Sequence, residues 1–170
     1  TTEKNKILPT ILSRCQIFNF NRITSEDIAQ HLSIIAKKEN ITAEPDALHI
    51  IGQKADGGLR DALSIFDQLV SFSGGQLTYE NVIKNLNILD YDYYFQTTDL
   101  IKQKNLSGLL LLLNQIIEKG FEDLIFMNGL ASHFRNLLVS KDESTLQLLD
   151  VGENIKEKYK TQSKENSLSF

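Results

Sequence analysis

Apolar residues between positions 22 and 89 recur at the spacing of amphipathic helices, and local signals divide this stretch into four of them. Thr24 and Thr78 each stand where a hydroxyl can cap a helix N-terminus. Pro45 suits a first helical turn, and Gly57-Gly58 suits a helix end. The predicted apolar faces comprise Ile28, Leu32, Ile35 and Ala36, then Ala47, Leu48, Ile51 and Ala55, then Leu59, Ala62, Leu63, Phe66, Leu69 and Val70, and finally Val82, Ile83, Leu86 and Leu89. The pattern predicts a small bundle of four helices.

The second half of the chain predicts another helical unit that begins at about Asp90. Helices are expected near residues 92–103, 107–119 and 121–139, with at least one more after Asp142. Residues 109–113 are five consecutive leucines, which are apolar all round a helix and therefore predict a buried central element.

The N-terminal stretch predicts a short helix followed by a strand. Pro9 suits the first turn of a helix over residues 8–13. Residues 16–20 have the β-branched and aromatic content of a strand. The predicted fold is therefore mainly α, with at most one or two short strand remnants at the N-terminus. Its predicted units are residues 1–21, 22–89 and 90–170.

Composition limits the classes of function. The 170 residues are 41% hydrophobic and 24% charged, which is enough to build real cores. The net charge of -4 provides no overall basic field for nucleic acid. A single cysteine, Cys15, excludes an intramolecular disulfide framework and a Cys-rich zinc site within these residues, and fits a reducing, cytoplasmic compartment. The longest apolar run is too short to span a bilayer, so no membrane partner is expected.

Two arginines are the main candidates for chemistry. Arg14 stands in Ser13-Arg14-Cys15, between the proline-initiated turn and the predicted strand, twelve residues after Thr2. Its guanidinium is an always-charged donor fork that can reach a phosphate, or it can simply pair with a surface carboxylate. Arg60 follows Gly57-Gly58 in the first turn of the third helix, where the helix dipole disfavours a cation. A nearby anion would remove that conflict.

Carboxylates on the same helix offer another explanation for Arg60, since Asp61 or Asp67 can offset its charge. His31, His49 and His133 lie on separate predicted helices without a second ligand at helical spacing, so we expect no metal site and ordinary surface or interface roles. The aromatic residues 91–95 carry no interleaved basic residues, which favours a core or a subunit interface over base stacking.

The order and spacing of Thr2, Ser13-Arg14-Cys15 and Gly57-Gly58-Leu59-Arg60-Asp61-Ala62-Leu63 resemble the AAA+ ATPases of clamp loaders, and among them the gamma/tau subunits. The resemblance implies that residues 22–89 are the AAA+ lid and that residues 90–170 are a helical collar that joins subunits. It implies that Arg14 is a catalytic arginine finger for ATP bound by a neighbouring subunit. It also implies that Thr2 is sensor 1 and Arg60 is sensor 2, both directed to nucleotide.

This resemblance implies part of the ATPase that loads the sliding clamp for bacterial DNA polymerase III, a nucleotidyltransferase complex. ATP with Mg²⁺ would be held mainly by an upstream core, because these residues contain no Gly-rich P-loop, and the chain alone is not expected to hydrolyse ATP. The implied partners are other gamma/tau copies, the delta and delta-prime subunits, the clamp and primer-template DNA.

Two alternatives stay open at this point. One is a non-hydrolysing scaffold subunit similar to delta-prime, although Arg60 argues against it. The other is a fragment of a different AAA+ motor, which would assemble as a hexamer rather than as a five-membered ring.

Overall fold

The computed structural model describes residues 4–165, and nearly all regular structure in that range is helical. The helices and strands in chain order are α1 (Pro9–Leu12), α2 (Ser25–Lys38), β1 (Thr42–Ala43), α3 (Pro45–Lys54), α4 (Leu59–Ser73), β2 (Gln76–Leu77), α5 (Tyr79–Asn85), α6 (Tyr91–Lys102), α7 (Leu106–Glu118), α8 (Asp123–Val139) and α9 (Glu153–Glu165). Short 3-10 helices cover Lys4–Lys6 and Glu143–Leu148. The mainly α fold class is confirmed.

The predicted capping residues mark the helix starts. Thr24 Oγ1 accepts a hydrogen bond from the Asp27 amide at 3.1 Å, and Thr78 caps α5 in the same way. Asp90 caps α6 by accepting from the Asp92 amide at 3.1 Å. Gly74, with φ +62, ends α4 in the left-handed region that glycine tolerates. Local side-chain chemistry therefore sets these boundaries.

The predicted strand over residues 16–20 is wrong, because this segment has no regular secondary structure. A strand is stabilised by hydrogen bonds and packing from a neighbouring strand, and no described residue supplies one here. Phe18 and Phe20 are accordingly 69% and 94% exposed. Strands occur instead in the loops that precede α3 and α5, where β1 and β2 pair in parallel with Thr42 opposite Gln76.

Helices α2 to α5, with β1 and β2, form what we call the N-terminal bundle. Gly52 on α3 permits the close approach of α2, because a Cβ there would meet the Ser25 backbone oxygen at 2.6 Å. The bundle encloses one cluster of buried side chains, namely Ile28, Leu32, Ala36, Ala47, Leu48, Ile50, Ile51, Ala55, Ala62, Phe66, Leu69, Leu77 and Val82.

Helices α6 to α9 form what we call the C-terminal bundle, which has two buried clusters. One cluster contains Leu89, Tyr94, Leu112, Ile116 and Phe126, and the other contains Leu137, Leu149, Val151, Ile155 and Tyr159. Tyr91, the first residue of α6, packs against both of these clusters and also against the cluster of the N-terminal bundle. Its ring therefore lies at the junction of the three.

The five-leucine run on α7 is not a buried central element, which corrects the sequence prediction. Leu112 is 6% exposed, but Leu110 and Leu111 are 59% and 67% exposed. The reason is that α7 packs along one side, mainly against α6, and the side that carries Leu110 and Leu111 stays exposed. Within residues 4–165, no helix has both the length and the apolar character needed to cross a bilayer.

Candidate functional site

Arg14 lies in the turn that follows α1 and projects into solvent. The turn is closed by two hydrogen bonds, from the Arg14 amide to the Ile11 carbonyl at 3.1 Å and from Ser13 Oγ to the Thr10 carbonyl at 3.1 Å. The Arg14 side chain is exposed and forms no ion pair with any residue that the structure describes. The carboxylate partner considered for it is thus absent from residues 4–165. Its guanidinium is available to a group outside the chain.

Arg60 occupies the first turn of α4, as the sequence predicts, and is also exposed. The N-cap position is Gly58, so no side chain caps the amides at this helix end. The Asp61 carboxylate is turned back towards Gly58, where its Oδ2 would lie 2.8 Å from an added Cβ. Neither Asp61 nor Asp67 forms an ion pair with Arg60 among the described residues. Uncapped amides and a guanidinium without an ion pair therefore stand together, which suits an anion, although the Asp61 carboxylate offsets part of the positive charge at this helix end.

Arg22 connects the segment after Arg14 to the turn before Arg60, a link that sequence reasoning missed. Its guanidinium donates to the Asp56 carboxylate, and the following amide, of Ile23, donates to the Gly57 carbonyl at 3.4 Å. Gly57 has φ +83, and a Cβ there would overlap the Arg22 side chain. Both side chains of this ion pair are exposed, so the pair by itself contributes little to the stability of the fold. Close packing of the Arg22 side chain against Gly57 therefore supplements the weak ion pair in holding the two segments together.

Thr2 lies outside the described residues, so its candidate role stays a prediction. In residues 4–165, no group of three or more His, Cys, Asp and Glu side chains is arranged to hold a metal ion.

Comparison with known proteins identifies the family of this chain. The family model "DNA polymerase III clamp loader subunit, ATPase lid domain" matches residues 27–75, which include Arg60. The tau subunit of Bacillus subtilis DNA polymerase III is 36% identical over 92% of this chain, and the gamma/tau subunit of Mycoplasma genitalium is 37% identical over 88%. The tau subunit of Escherichia coli is 34% identical over 72%. The chain belongs to the gamma/tau family of DNA polymerase III clamp-loader subunits.

This gamma/tau chain spans 29% of the Bacillus subtilis relative and 25% of the Mycoplasma genitalium one. The matched lid segment lies inside the N-terminal bundle, from α2 to the loop before β2. Arg60 therefore stands on a lid helix of a clamp-loader family member.

A second candidate surface of this gamma/tau chain is apolar and lies on the C-terminal bundle. Leu106, Leu110, Leu113 and Ile117 follow one another at four, three and four residues along α7, and we call them the α7 stripe. On α8, Leu124, Met127, Ala131, Phe134 and Leu138 keep the same alternation of threes and fours, and we call them the α8 stripe. All of these except Leu113 and Phe134 are exposed. Such spacing is typical of helices that pack against another helix.

The histidines differ from the roles expected for them. His133, expected at a surface or interface, is 1% exposed and lies in the core of the C-terminal bundle. Burial lowers the pKa of its imidazole to about 4. His49 is half-buried, with Nε2 at 3.1 Å from Asp150 Oδ1. Neither environment could be predicted from local sequence, because the contacting residues lie far away in the chain.

Proposed function

We propose that this chain is the lid and collar portion of an ATPase subunit that, as a whole protein, uses ATP to load the sliding clamp onto primed DNA. The observation that carries the proposal is that the guanidinium groups of Arg14 and Arg60 are both exposed and form no ion pair with a described residue. Membership of the gamma/tau family supports it, since the matched family is that of a clamp-loader ATPase lid.

Arg14 would act outward, as an arginine finger. A guanidinium that reaches ATP on a neighbouring subunit neutralises charge that develops on the γ-phosphate during hydrolysis. Its position on an exposed turn, rather than in a cleft of this chain, supports an action across a subunit interface. A finger of this kind contributes roughly a thousandfold or more to turnover in comparable hydrolases.

Arg60 would act inward, on nucleotide held by the same subunit. The uncapped amides of α4 and the adjacent guanidinium supply positive charge for a phosphate. Thr2, as sensor 1, would contact the γ-phosphate through its hydroxyl. ATP with Mg²⁺ would be bound mainly by the part of the subunit that precedes these residues.

The C-terminal bundle would serve as the collar. The α7 and α8 stripes expose leucine, isoleucine and methionine at helix-packing spacing, which favours contact with helices of other gamma/tau copies and of the delta and delta-prime subunits. The clamp and primer-template DNA would be contacted by the assembled complex in the cytoplasm.

The test uses the full-length subunit in its complex. Arg14→Ala should reduce DNA-stimulated ATP hydrolysis roughly a thousandfold while nucleotide binding is retained. Arg60→Ala should weaken both binding and hydrolysis. Arg135→Ala, which removes an exposed arginine of α8, is the matched control and should change neither. Normal turnover in the Arg14 variant would contradict the finger, and unchanged nucleotide affinity in the Arg60 variant would contradict sensor 2.

A further inference from the structure

The loop between the Glu143–Leu148 3-10 helix and α9 contacts both bundles. Leu149 and Val151 are each 4% exposed and belong to a buried cluster of the C-terminal bundle. Asp150 stands between them in sequence. The Asp150 carboxylate is directed towards the N-terminal bundle, where it contacts Ser25 and His49.

Asp150 is contacted there by three side chains. Ser25 Oγ, at the start of α2, donates to Asp150 Oδ1. Gln53 Nε2, on α3, donates to the Asp150 backbone carbonyl. His49 Nε2, one turn earlier on α3, lies 3.1 Å from the same carboxylate oxygen. One residue of the C-terminal bundle thus contacts two helices of the other bundle.

A second point of contact lies beside the first. Asn154 Nδ2 donates to Asp46 Oδ2, in the first turn of α3, at 2.5 Å. Gly152 allows this approach, because a Cβ on it would overlap the Asp46 carboxylate. The loop therefore needs a residue without a side chain at the position where it crosses α3.

We propose that residues 149–154 form a clasp that holds the two bundles in one fixed orientation. Units joined by a small polar interface move relative to each other by default. Here the loop is anchored by buried Leu149 and Val151 on one side and bonded at two points on the other. The packing of Tyr91 against the clusters of both bundles adds an apolar contact at the same junction.

The clasp has a consequence for motion that rests on the proposed function. If nucleotide moves the lid bundle, the C-terminal bundle moves with it as one body. The flexing point then falls before α2, in the segment 16–21, which has no regular structure and whose side chains are exposed. The clasp itself can be tested on the isolated chain without nucleotide, so failure of the clasp can be distinguished from failure of the proposed function.

The experiment measures the distance between the bundles by pulsed electron paramagnetic resonance. Cys15, the only cysteine, is replaced by serine, and spin labels are attached to cysteines at exposed Gln68 on α4 and exposed Lys164 on α9. The parent chain should give one narrow distance distribution. Asp150→Ala and Gly152→Ala should each broaden it and add longer distances. Adding Asp46→Ala to Gly152→Ala removes the overlapping carboxylate and should narrow the distribution part of the way back, because the contacts of Asp150 are regained while the hydrogen bond from Asn154 is lost.

The controls separate loss of the clasp from loss of the fold. Glu122→Ala removes an exposed carboxylate that forms no hydrogen bond or ion pair with the described residues of the N-terminal bundle, and should leave the distribution unchanged. The double variant Ser25→Ala with Asn154→Ala removes two clasp contacts, keeps Leu149 and Val151 in place, and should broaden the distribution while helical circular dichroism is retained. Distributions identical to the parent in this double variant and in Gly152→Ala would overturn the proposal.

Discussion

His133 Nδ1 on α8 lies 2.9 Å from the hydroxyl of Tyr159 on α9, inside the C-terminal bundle. The other ring nitrogen, Nε2, lies 3.1 Å from Thr98 Oγ1 on α6. One imidazole therefore joins three helices. Phe95 packs edge-on against the ring at 4.8 Å between centroids. The nearby Gln162 side chain and Asp99 carboxylate favour the charged imidazole, but burial outweighs them. The neutral imidazole is the form that this environment stabilises.

The buried imidazole makes stability depend on pH. The pKa of His133 is lowered to about 4 in the folded chain, while in the unfolded chain it returns to about 6.5. As pH falls below about 6.5 the unfolded state takes up the proton first, so stability falls until about pH 4 and then levels off. The loss can reach about 3 kcal/mol. Urea unfolding at pH 7.5 and pH 4.5 measures it.

The matched comparison for this pH effect is His133→Phe against His31→Phe. His31 is exposed on α2, so its replacement should keep the pH dependence of the parent chain. The His133 variant should lose less stability between the two pH values than the parent does. Equal losses in the parent and the His133 variant would show that this imidazole is not the group responsible.

Gly129 fixes how closely α8 approaches α6. A Cβ on Gly129 would overlap the ring and hydroxyl of Tyr94. Gly→Ala inside a helix ordinarily stabilises by about 1 kcal/mol, but overpacking should reverse the sign here and cost about 2 kcal/mol. Chemical denaturation of Gly129→Ala measures the cost, with Asn128→Ala on the exposed side of α8 as control. Adding Tyr94→Leu should reduce the penalty of the alanine, and an unreduced penalty would contradict the packing explanation.

The sequence predicted the helices well because their boundaries are set locally. Thr24 and Thr78 cap α2 and α5 through amides three residues away, and apolar spacing identifies the buried faces of the N-terminal bundle. The strand over residues 16–20 failed because strand formation depends on a partner that local composition does not contain. The exposure of Leu110 and Leu111 was missed for a related reason, since periodicity cannot show which faces of a helix find neighbours.

For the candidate site, too, the sequence predicted some features and not others. Residue type and spacing identified Arg14 and Arg60, and the structure places both on the surface without described partners, while their roles stay predictions. The contacts around them were not predictable. Arg22 pairs with Asp56, which lies 34 positions away, and Ser25 pairs with Asp150, which lies 125 positions away. Nothing in the local sequence of these residues indicates the partner.

The α7 stripe provides a test of assembly. Leu110 and Ile117 are 59% and 52% exposed, so Leu110→Glu with Ile117→Glu should change the free energy of unfolding by only about 0.5 kcal/mol. Charges in the stripe should nevertheless prevent the full-length subunit from entering the complex, because desolvating a carboxylate at an apolar interface is costly. Light scattering after size-exclusion chromatography measures the assembled mass.

The control for the stripe is Phe72→Glu, which places a glutamate on a residue of α4 that is 72% exposed. The Phe72 variant should assemble normally. A complex of normal mass with the doubly substituted stripe would show that α7 does not form a subunit interface.

Arg14 is proposed to serve ATP held by a neighbouring subunit. Its most direct test is a mixed complex of two full-length variants, one with Arg14→Ala and the other with its own nucleotide site disabled but Arg14 intact. Neither variant alone should support DNA-stimulated hydrolysis. The mixture should recover ATP hydrolysis, because the intact Arg14 of one copy can reach the ATP of the other. A mixture as inactive as the separate variants would show that Arg14 does not act on ATP bound by a neighbouring subunit.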